Sequence, residues 1–153
     1  MKQICILYIP CEGEIKLMAI PDTEEEKNKL VSGIYKFVTI LADNPILMVT
    51  NELARKKNAA LNIRATCLAN SFCKMSNNSL RDLAIFGDVF IEGSEFNPES
   101  EQYQSCSIPP DLLEDLIDFC NRADVWWVSL GKKIVDSKYV KWFVKPVEYD
   151  DEF

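Results

Sequence analysis

Histidine is absent from this sequence of 153 residues, and glycine is scarce, with five residues. Without imidazole there is no Ser-His-Asp triad, no zinc site with histidine ligands and no imidazole acid–base catalysis. The sequence also contains neither of the glycine-rich phosphate loops, Gly-x-x-x-x-Gly-Lys-Ser/Thr and Gly-x-Gly-x-x-Gly, nor a Gly-x-Ser-x-Gly nucleophile elbow. These absences favour a protein that binds a ligand over one that transforms it. We therefore expect neither enzyme activity nor a cofactor.

Long apolar runs and an excess of positive charge are missing as well. Nowhere do about 18 apolar residues follow one another without a charge, as a transmembrane helix requires. Residues 1–10 carry one lysine and a short apolar run but no secretory cleavage site. The 17 basic and 24 acidic residues give a net charge of −7, which argues against binding nucleic-acid phosphates or anionic lipid. We expect a cytoplasmic protein with neither a membrane nor a nucleic-acid partner.

Six cysteines are present, but no two of them form a Cys-x-x-Cys pair. Because the sequence shows no export signal, we interpret them as reduced thiols rather than as three disulfides. A zinc site would need four scattered thiolates. Cys5, Cys67 and Cys120 fall on apolar faces and are predicted to be buried, whereas Cys106 lies in a polar stretch and is predicted to be exposed.

Short apolar runs separated by turn residues predict a single α+β domain over residues 1–147, followed by a frayed acidic tail, 148–153. About three helices are expected to begin at Thr23, at Asn62 and at Pro109-Pro110, and to cover a mixed or antiparallel sheet. The predicted strands are residues 4–9, 14–20, 34–41, 46–50, 89–91, 125–130 and 138–145.

Two polar stretches interrupt this pattern. Residues 92–108 contain glycine and proline without clear periodicity, and they are longer than the loops that compact domains usually tolerate. We predict a mobile or functional loop there. Residues 51–60 hold the run Arg55-Lys56-Lys57, the one local cluster of positive charge in the sequence.

Large aromatic residues are concentrated in the last two predicted strands. Adjacent residues of a strand point to opposite faces of a sheet, so both faces carry large rings there. One set belongs to the core, and the other has three candidate covers: a helix, an interface with a second copy or another protein, and a planar ligand that stacks on the rings. The residues concerned are Trp126, Trp127, Tyr139, Trp142 and Phe143.

Carboxylates keep two alternative functions open. Glu52 or Asp82, if the fold brings it next to Asp88, would form a pair able to hold magnesium for metal-assisted hydrolysis. Alternatively, an acidic helix face and the tail would mimic nucleic acid and attract a basic partner in a salt-dependent way. The residues of that face are Asp111, Glu114, Asp115 and Asp118.

Three segments in the first 93 residues carry a recognisable pattern. They are Asn51-Glu52, then Ala60-Leu61-Asn62-x-Arg64-Ala65-Thr66-x-Leu68-Ala69, and then Ile85-x-Gly87-Asp88-Val89-Phe90-Ile91-x-Gly93. The pattern resembles a family of small phage and plasmid proteins known chiefly as a domain of unknown function. The resemblance covers roughly residues 4–93, and it departs from the family at Ala54, where a glycine is usual, and in the longer basic run that follows.

The resemblance implies a mobile-element origin but no reaction. Small accessory proteins of phages often act by binding, either by blocking a host protein or by sequestering a signal molecule in counter-defence. By analogy, we expect a non-enzymatic protein that captures a small anionic, nucleotide-like ligand or blocks a host protein.

Four polar residues of these segments are the candidate ligand-binding residues: Asn51, Asn62, Arg64 and Asp88. The hypothesis is that they converge at one end of the sheet, where the positive start of the helix at Asn62 favours an anion. Arg64 is unfavourably placed against the dipole of that helix, which hints at a negative group nearby. The alternative is structural: Asn51 bonds its own backbone, Asn62 caps the helix, and Gly87-Asp88 forms a turn.

Overall fold

The computed structural model describes residues 2–39, 45–75 and 84–118. Within these ranges the strands are β1 (Gln3–Ile9), β2 (Lys16–Pro21), β3 (Tyr35–Thr39), β4 (Ile46–Asn51), β5 (Val89–Asn97) and β6 (Gln102–Cys106). The helices are α1 (Glu24–Val31), α2 (Ile63–Met75) and α3, which covers residues 110–118 up to the end of the described chain.

All six strands belong to one sheet in the order β2-β1-β5-β4-β3, and every pairing is antiparallel. β5 is the central strand, because its first residues pair with β1 on one side and with β4 on the other. The second half of β5 pairs with β6, which lies on the same side of β5 as β1. The predicted α+β class, with an antiparallel sheet and three helices, is confirmed.

The alternation of apolar residues along the strands creates a core on each face of the sheet. One core lies under α2 and α3 and contains Leu7, Ile9, Ile46, Met48, Ile91, Leu68 and Leu116. The other core lies under α1 and contains Ile4, Ile6, Ile20, Val31, Val49 and Phe90. Strands β1, β4 and β5 are therefore buried on both faces, which explains why their sequences are nearly continuous apolar runs.

Most predicted elements of the described chain are observed, including the first N-cap. The Thr23 hydroxyl accepts a hydrogen bond from the backbone N–H of Glu26 at 3.2 Å, as its position before an acidic first turn predicted. The prediction of a loop over residues 92–108 is wrong, because β5 continues to Asn97 and β6 returns beside it. This hairpin is largely exposed beyond Ser94, so no buried face imposes an apolar alternation on its sequence.

The cysteine predictions are correct in part. Cys67 is buried, and Cys5, Cys11, Cys67 and Cys106 are free thiols. Cys106 is half-buried rather than exposed, because it belongs to β6 and pairs with Gly93. Cys5 is half-buried rather than buried. Cys120, the strands predicted after residue 119 and the tail lie outside the described residues.

A buried ion pair connects α1 to the centre of the sheet. Lys27 is 3% exposed and Glu92 is fully buried. The Lys27 Nζ lies 2.9 Å from Glu92 Oε1, in an ion pair without hydrogen-bond geometry, and donates a hydrogen bond to Oε2 at 3.3 Å. It also lies 3.2 Å from Asp22 Oδ1 and donates to Ser105 Oγ at 2.7 Å. This single ammonium group therefore joins α1, β5 and β6.

Replacing Lys27 by methionine is expected to destabilise the protein by about 3–5 kcal/mol, because Glu92 would remain buried without its partner. The double variant Lys27→Met with Glu92→Leu should recover most of that loss, since it removes both charges. The measurement is urea unfolding followed by circular dichroism. Lys29→Met, an exposed lysine of the same helix, is the matched control. A Lys27→Met variant as stable as this control would contradict the role assigned to the ion pair.

Candidate functional site

The four candidate residues predicted from the sequence lie at one end of the sheet. β1 ends and β5 begins there, because Ile9 pairs with Val89, and β4 ends there at Asn51. The side chain of Asn62 reaches this end from the start of α2. The polar groups of the four residues nevertheless serve two separate sets of contacts.

Asn62 is fully buried and bonds three backbone groups. Its Nδ2 donates to the carbonyl oxygens of Ile9 at 2.8 Å and Gly87 at 3.0 Å, and its Oδ1 accepts from the N–H of Ala65 at 3.0 Å. The last bond caps α2, and the first two join the helix to β1 and to the turn before β5. Both polar atoms of this buried side chain are therefore bonded to the backbone.

Arg64 and Asp88 hold the chain just after β1. An Arg64 guanidinium nitrogen donates to the Pro10 carbonyl, and Asp88 Oδ1 accepts from the backbone N–H of Cys11 at 2.8 Å. The carbonyl of Pro10 supplies a partially negative group beside a cation that the helix dipole disfavours, which removes the need to invoke an anionic ligand there.

Asn51 faces the opposite way, toward the end of α1. Its Nδ2 donates to the carbonyls of Val31 at 3.1 Å and Ser32 at 3.2 Å, and its Oδ1 accepts from the N–H of Leu53 at 2.8 Å. A Cβ at Gly33 would lie 2.5 Å from Asn51 Nδ2, so glycine is needed there for this close approach. The Asn62 cap and the bond from the Leu53 N–H to Asn51 agree with the structural alternative, and the role of the four residues in ligand binding stays a prediction.

Two titratable groups next to Asp88 have raised pKa values. Burial, and then the negative charge of Asp88, raises the pKa of the Cys11 thiol from 9.0 to about 11, and the same two causes raise the pKa of Tyr8. At neutral pH the Cys11 thiolate is therefore about 100-fold rarer than that of an ordinary cysteine. Both groups are neutral at pH 7, and Cys11 is a poor nucleophile.

A cavity of about 220 Å³ lies beside this end of the sheet, between β3, β4 and the turn that follows β4. We call it the basic pocket. It borders the α2 face of the sheet, where Lys36 lies directly opposite Thr50 in the β3–β4 register. The polar residues that line it are Lys36, Thr50, Asn51, Glu52, Arg55 and Lys56.

Thr50 contributes an unusual feature to the basic pocket. The residue is 4% exposed, and its Oγ1 has no hydrogen-bond partner among the residues that the structure describes. A buried hydroxyl without a partner loses its hydration without compensation. Such groups are rare in folded proteins and commonly mark the place of a water or a ligand.

The turn that carries Arg55 is firmly held. The backbone N–H of Ala59 donates to the Ala54 carbonyl at 3.0 Å, and that of Gly87 donates to the Ala60 carbonyl at 2.8 Å. Gly87 has φ of +81°, a conformation that favours glycine, and its Cα faces the buried Ala54. The turn is therefore fixed to the segment that precedes β5.

Phe86 orients the guanidinium group of Arg55, whose Cζ lies 5.8 Å from the centre of the ring. A cation over an aromatic face is attracted to the ring and loses part of its freedom. The other described residues of the pocket wall are apolar: Val38, Ala54, Ala84 and Ile85. The pocket thus combines positively charged groups with an apolar side.

Sequence reasoning missed most of the residues of the basic pocket. Lys36 and Thr50 come from two different strands, and Phe86 comes from a segment 30 residues further on than Lys56. The available signal was the basic run at residues 55–57, of which Arg55 and Lys56 line the pocket. The pairing of β3 with β4 brings Lys36 next to Thr50 in the pocket wall, and no local sequence pattern reveals that pairing.

Glu52 and Asp88, the two carboxylates considered for metal binding that the structure describes, belong to no metal-binding cluster of described residues. Within the described residues, no group of three or more cysteine, aspartate or glutamate side chains is placed to hold a metal ion. Glu52 is exposed at the rim of the basic pocket, whereas Asp88 bonds the backbone of Cys11. Asp82 lies outside the described residues. The hydrolase alternative therefore gains no support from the described chain.

The remaining sequence-based candidates divide between α3 and the C-terminal part of the chain. The carboxylates considered as a nucleic-acid mimic are exposed on α3, with Leu116 buried on its other side. The aromatic residues proposed as an interface or a stacking surface, Trp126, Trp127, Tyr139 and Trp142, lie outside the described residues.

Comparison with known proteins adds no relative. No family model, curated protein or solved structure matches the chain. The resemblance to phage and plasmid proteins therefore stays a prediction. Within the described ranges, no helix combines the length and apolar character needed to cross a membrane.

The raised pKa of Cys11 predicts slow alkylation below pH 9, because the reactive thiolate is scarce. Replacing Asp88 by asparagine keeps an oxygen for the N–H of Cys11 but removes the negative charge. We expect the pKa to fall toward 9.0 and alkylation by iodoacetamide at pH 8 to accelerate several-fold, while burial keeps it slower than in the protein unfolded in urea. Peptide mass spectrometry measures the rate at each cysteine. An unchanged Cys11 rate in the variant would contradict this account.

Proposed function

We propose that this protein is a non-enzymatic binding protein that captures a small anionic, nucleotide-like ligand in the basic pocket. The observation that carries the proposal is that mainly cationic charged side chains line this pocket in a chain that is acidic overall. Among the described residues, three cationic side chains, Lys36, Arg55 and Lys56, line it with one carboxylate, Glu52, although the net charge of the protein is −7. Clefts lined by one sign of charge concentrate ligands of the opposite sign.

The arrangement of the cations supports capture rather than non-specific attraction. Arg55 is oriented by Phe86 on a turn held by backbone hydrogen bonds, so little conformational entropy is lost when it engages a ligand. A guanidinium group presents several N–H donors in a fixed plane, which suits the oxygens of a phosphate or carboxylate. Thr50, which also lines the pocket, has a buried hydroxyl without a hydrogen-bond partner among the described residues.

The proposal includes a biological setting, which rests on the resemblance of residues 4–93 to phage and plasmid proteins. In that setting the protein acts in the cytoplasm of a host cell, where it competes for a nucleotide-like signal used in host defence. Capture without turnover would be sufficient for that role, because removal of the free ligand is the effect.

A second function, blockade of a host protein, is favoured by the β5–β6 hairpin. Phe96 and Tyr103 are 50% and 58% exposed, and their rings lie 5.3 Å apart on neighbouring strands. Residues 93–107 contain three glutamates and no lysine or arginine. An exposed aromatic pair within an acidic hairpin suits a partner that presents arginine side chains.

A short oligo-arginine peptide tests this second function. We expect it to bind the protein in fluorescence anisotropy, to bind more weakly as salt rises from about 50 to 300 mM, and to lose affinity for the variant Phe96→Ser with Tyr103→Ser. Equal binding to both proteins would contradict a role of the hairpin.

The principal proposal predicts binding of small anions that depends on the pocket cations. Titration calorimetry with inorganic phosphate, AMP and ATP should detect at least one ligand. Arg55→Gln and Lys36→Gln should each weaken its binding about 5- to 30-fold, the range for a lost charge-assisted hydrogen bond of roughly 1–2 kcal/mol.

Lys57→Gln is the matched control for these variants. It makes the same change of charge in the same basic run, but Lys57 does not line the basic pocket. We expect it to bind within about twofold of the unchanged protein, because an exposed charge outside the site is screened. If no anion binds, or if Lys57→Gln weakens binding as much as Arg55→Gln, the proposal is wrong.

A further inference from the structure

We infer that the basic pocket takes a phosphate monoester dianion on a small, flat, apolar group, and that the Thr50 hydroxyl donates a hydrogen bond to it. This inference rests on the proposed function and narrows it to a ligand class. It draws on the charge of the pocket, its unpartnered hydroxyl, and its size and apolar wall.

The charges among the described residues of the pocket wall favour a dianion. Three of these side chains are cationic and one is a carboxylate. A phosphate monoester loses its second proton with a pKa of about 6 and therefore carries a charge close to −2 above pH 7. A sulfate ester of the same shape carries a single negative charge at every pH of interest. The pocket should therefore distinguish the two esters by charge alone.

The Thr50 hydroxyl supplies a donor at a defined position. Because Thr50 and Lys36 are direct partners in the β3–β4 register, their side chains start about 5 Å apart on the same face of the sheet. The Lys36 side chain therefore starts beside that of Thr50, whose buried Oγ1 has no hydrogen-bond partner in the described chain. A phosphate oxygen bound next to it would give the hydroxyl the partner that the described chain does not provide.

The size and the apolar side of the pocket restrict the rest of the ligand. A cavity of about 220 Å³ is smaller than the usual range of about 300–1,000 Å³ for drug-sized ligands. Val38 and Ile85 line it with Phe86, and no carboxylate other than Glu52 does so among the described residues. This surface suits one flat ring of about the size of a nucleobase. Inorganic phosphate would leave it uncovered.

The test compares phenyl phosphate, phenyl sulfate and inorganic phosphate by titration calorimetry at pH 8 and at pH 5. At pH 8 we expect phenyl phosphate to bind at least about 10-fold more tightly than either other ligand, since each lacks one of the two recognised features. At pH 5 the advantage over phenyl sulfate should fall below about threefold, because the phosphate ester is then mostly a monoanion.

Thr50→Val tests the hydroxyl separately. The substitution keeps the shape of the side chain and removes a buried polar group without a partner. We therefore expect the midpoint of thermal unfolding of the free protein to stay the same or rise. Phenyl phosphate should bind about 5- to 10-fold more weakly, the cost of one hydrogen bond, whereas Thr50→Ser should bind it within about twofold of the unchanged protein.

The outcomes separate this inference from the function on which it rests. If inorganic phosphate, AMP or ATP binds in an Arg55-dependent way but phenyl sulfate equals phenyl phosphate at pH 8, the protein captures anions and the inferred ligand class is wrong. The ligand class is also wrong if inorganic phosphate equals phenyl phosphate. If Thr50→Val binds phenyl phosphate as tightly as Thr50→Ser, the hydroxyl has no part in recognition. If none of the anions binds, the proposed function itself fails.

Discussion

The ion pair between Lys27 and Glu92 is the interaction on which the arrangement of the molecule depends. A carboxylate in the middle of the central strand is unfavourable unless a cation reaches it, and the cation comes from α1. Because Lys27 also contacts Asp22 and Ser105, the position of the helix is fixed relative to the end of β2 and to β6. Burying two charges is unfavourable, but the ion pair holds α1 in a defined position on the sheet. The helix has few apolar residues of its own that could do so by packing.

The end of the sheet shows how polar side chains divide between structure and function. The side-chain amides of Asn51 and Asn62 form hydrogen bonds with backbone carbonyls and N–H groups. These bonds hold α1, α2 and the turn after β4 in place. This support leaves Arg55 on a rigid turn beside Lys36 and Thr50. Asn51 both lines the pocket and supports it, and a ligand contact is expected at Thr50, where a buried hydroxyl lacks a partner among the described residues.

The sequence predicted the parts of the fold that depend on local patterns. The apolar runs of β1 and β4, the Thr23 cap and the Asn62 cap follow from spacing and residue type, and the structure confirms them. The β5–β6 hairpin escaped prediction because strands exposed on both faces carry no apolar alternation. The basic pocket escaped because it depends on the pairing of β3 with β4 and on the return of the chain at Phe86. The four candidate ligand-binding residues were selected by residue type, but the hydrogen bonds described for their side chains are to backbone groups.

The most direct test of the central claim is the location of ligand contact, measured by amide chemical shifts of the ¹⁵N-labelled protein during titration with phenyl phosphate. Binding in the basic pocket predicts the largest shifts within residues 50–56 and 84–86, with little change at Cys11 and Arg64. Shifts concentrated at Cys11, Arg64 and Asp88 would instead place the ligand beside the chain just after β1, and would contradict the account.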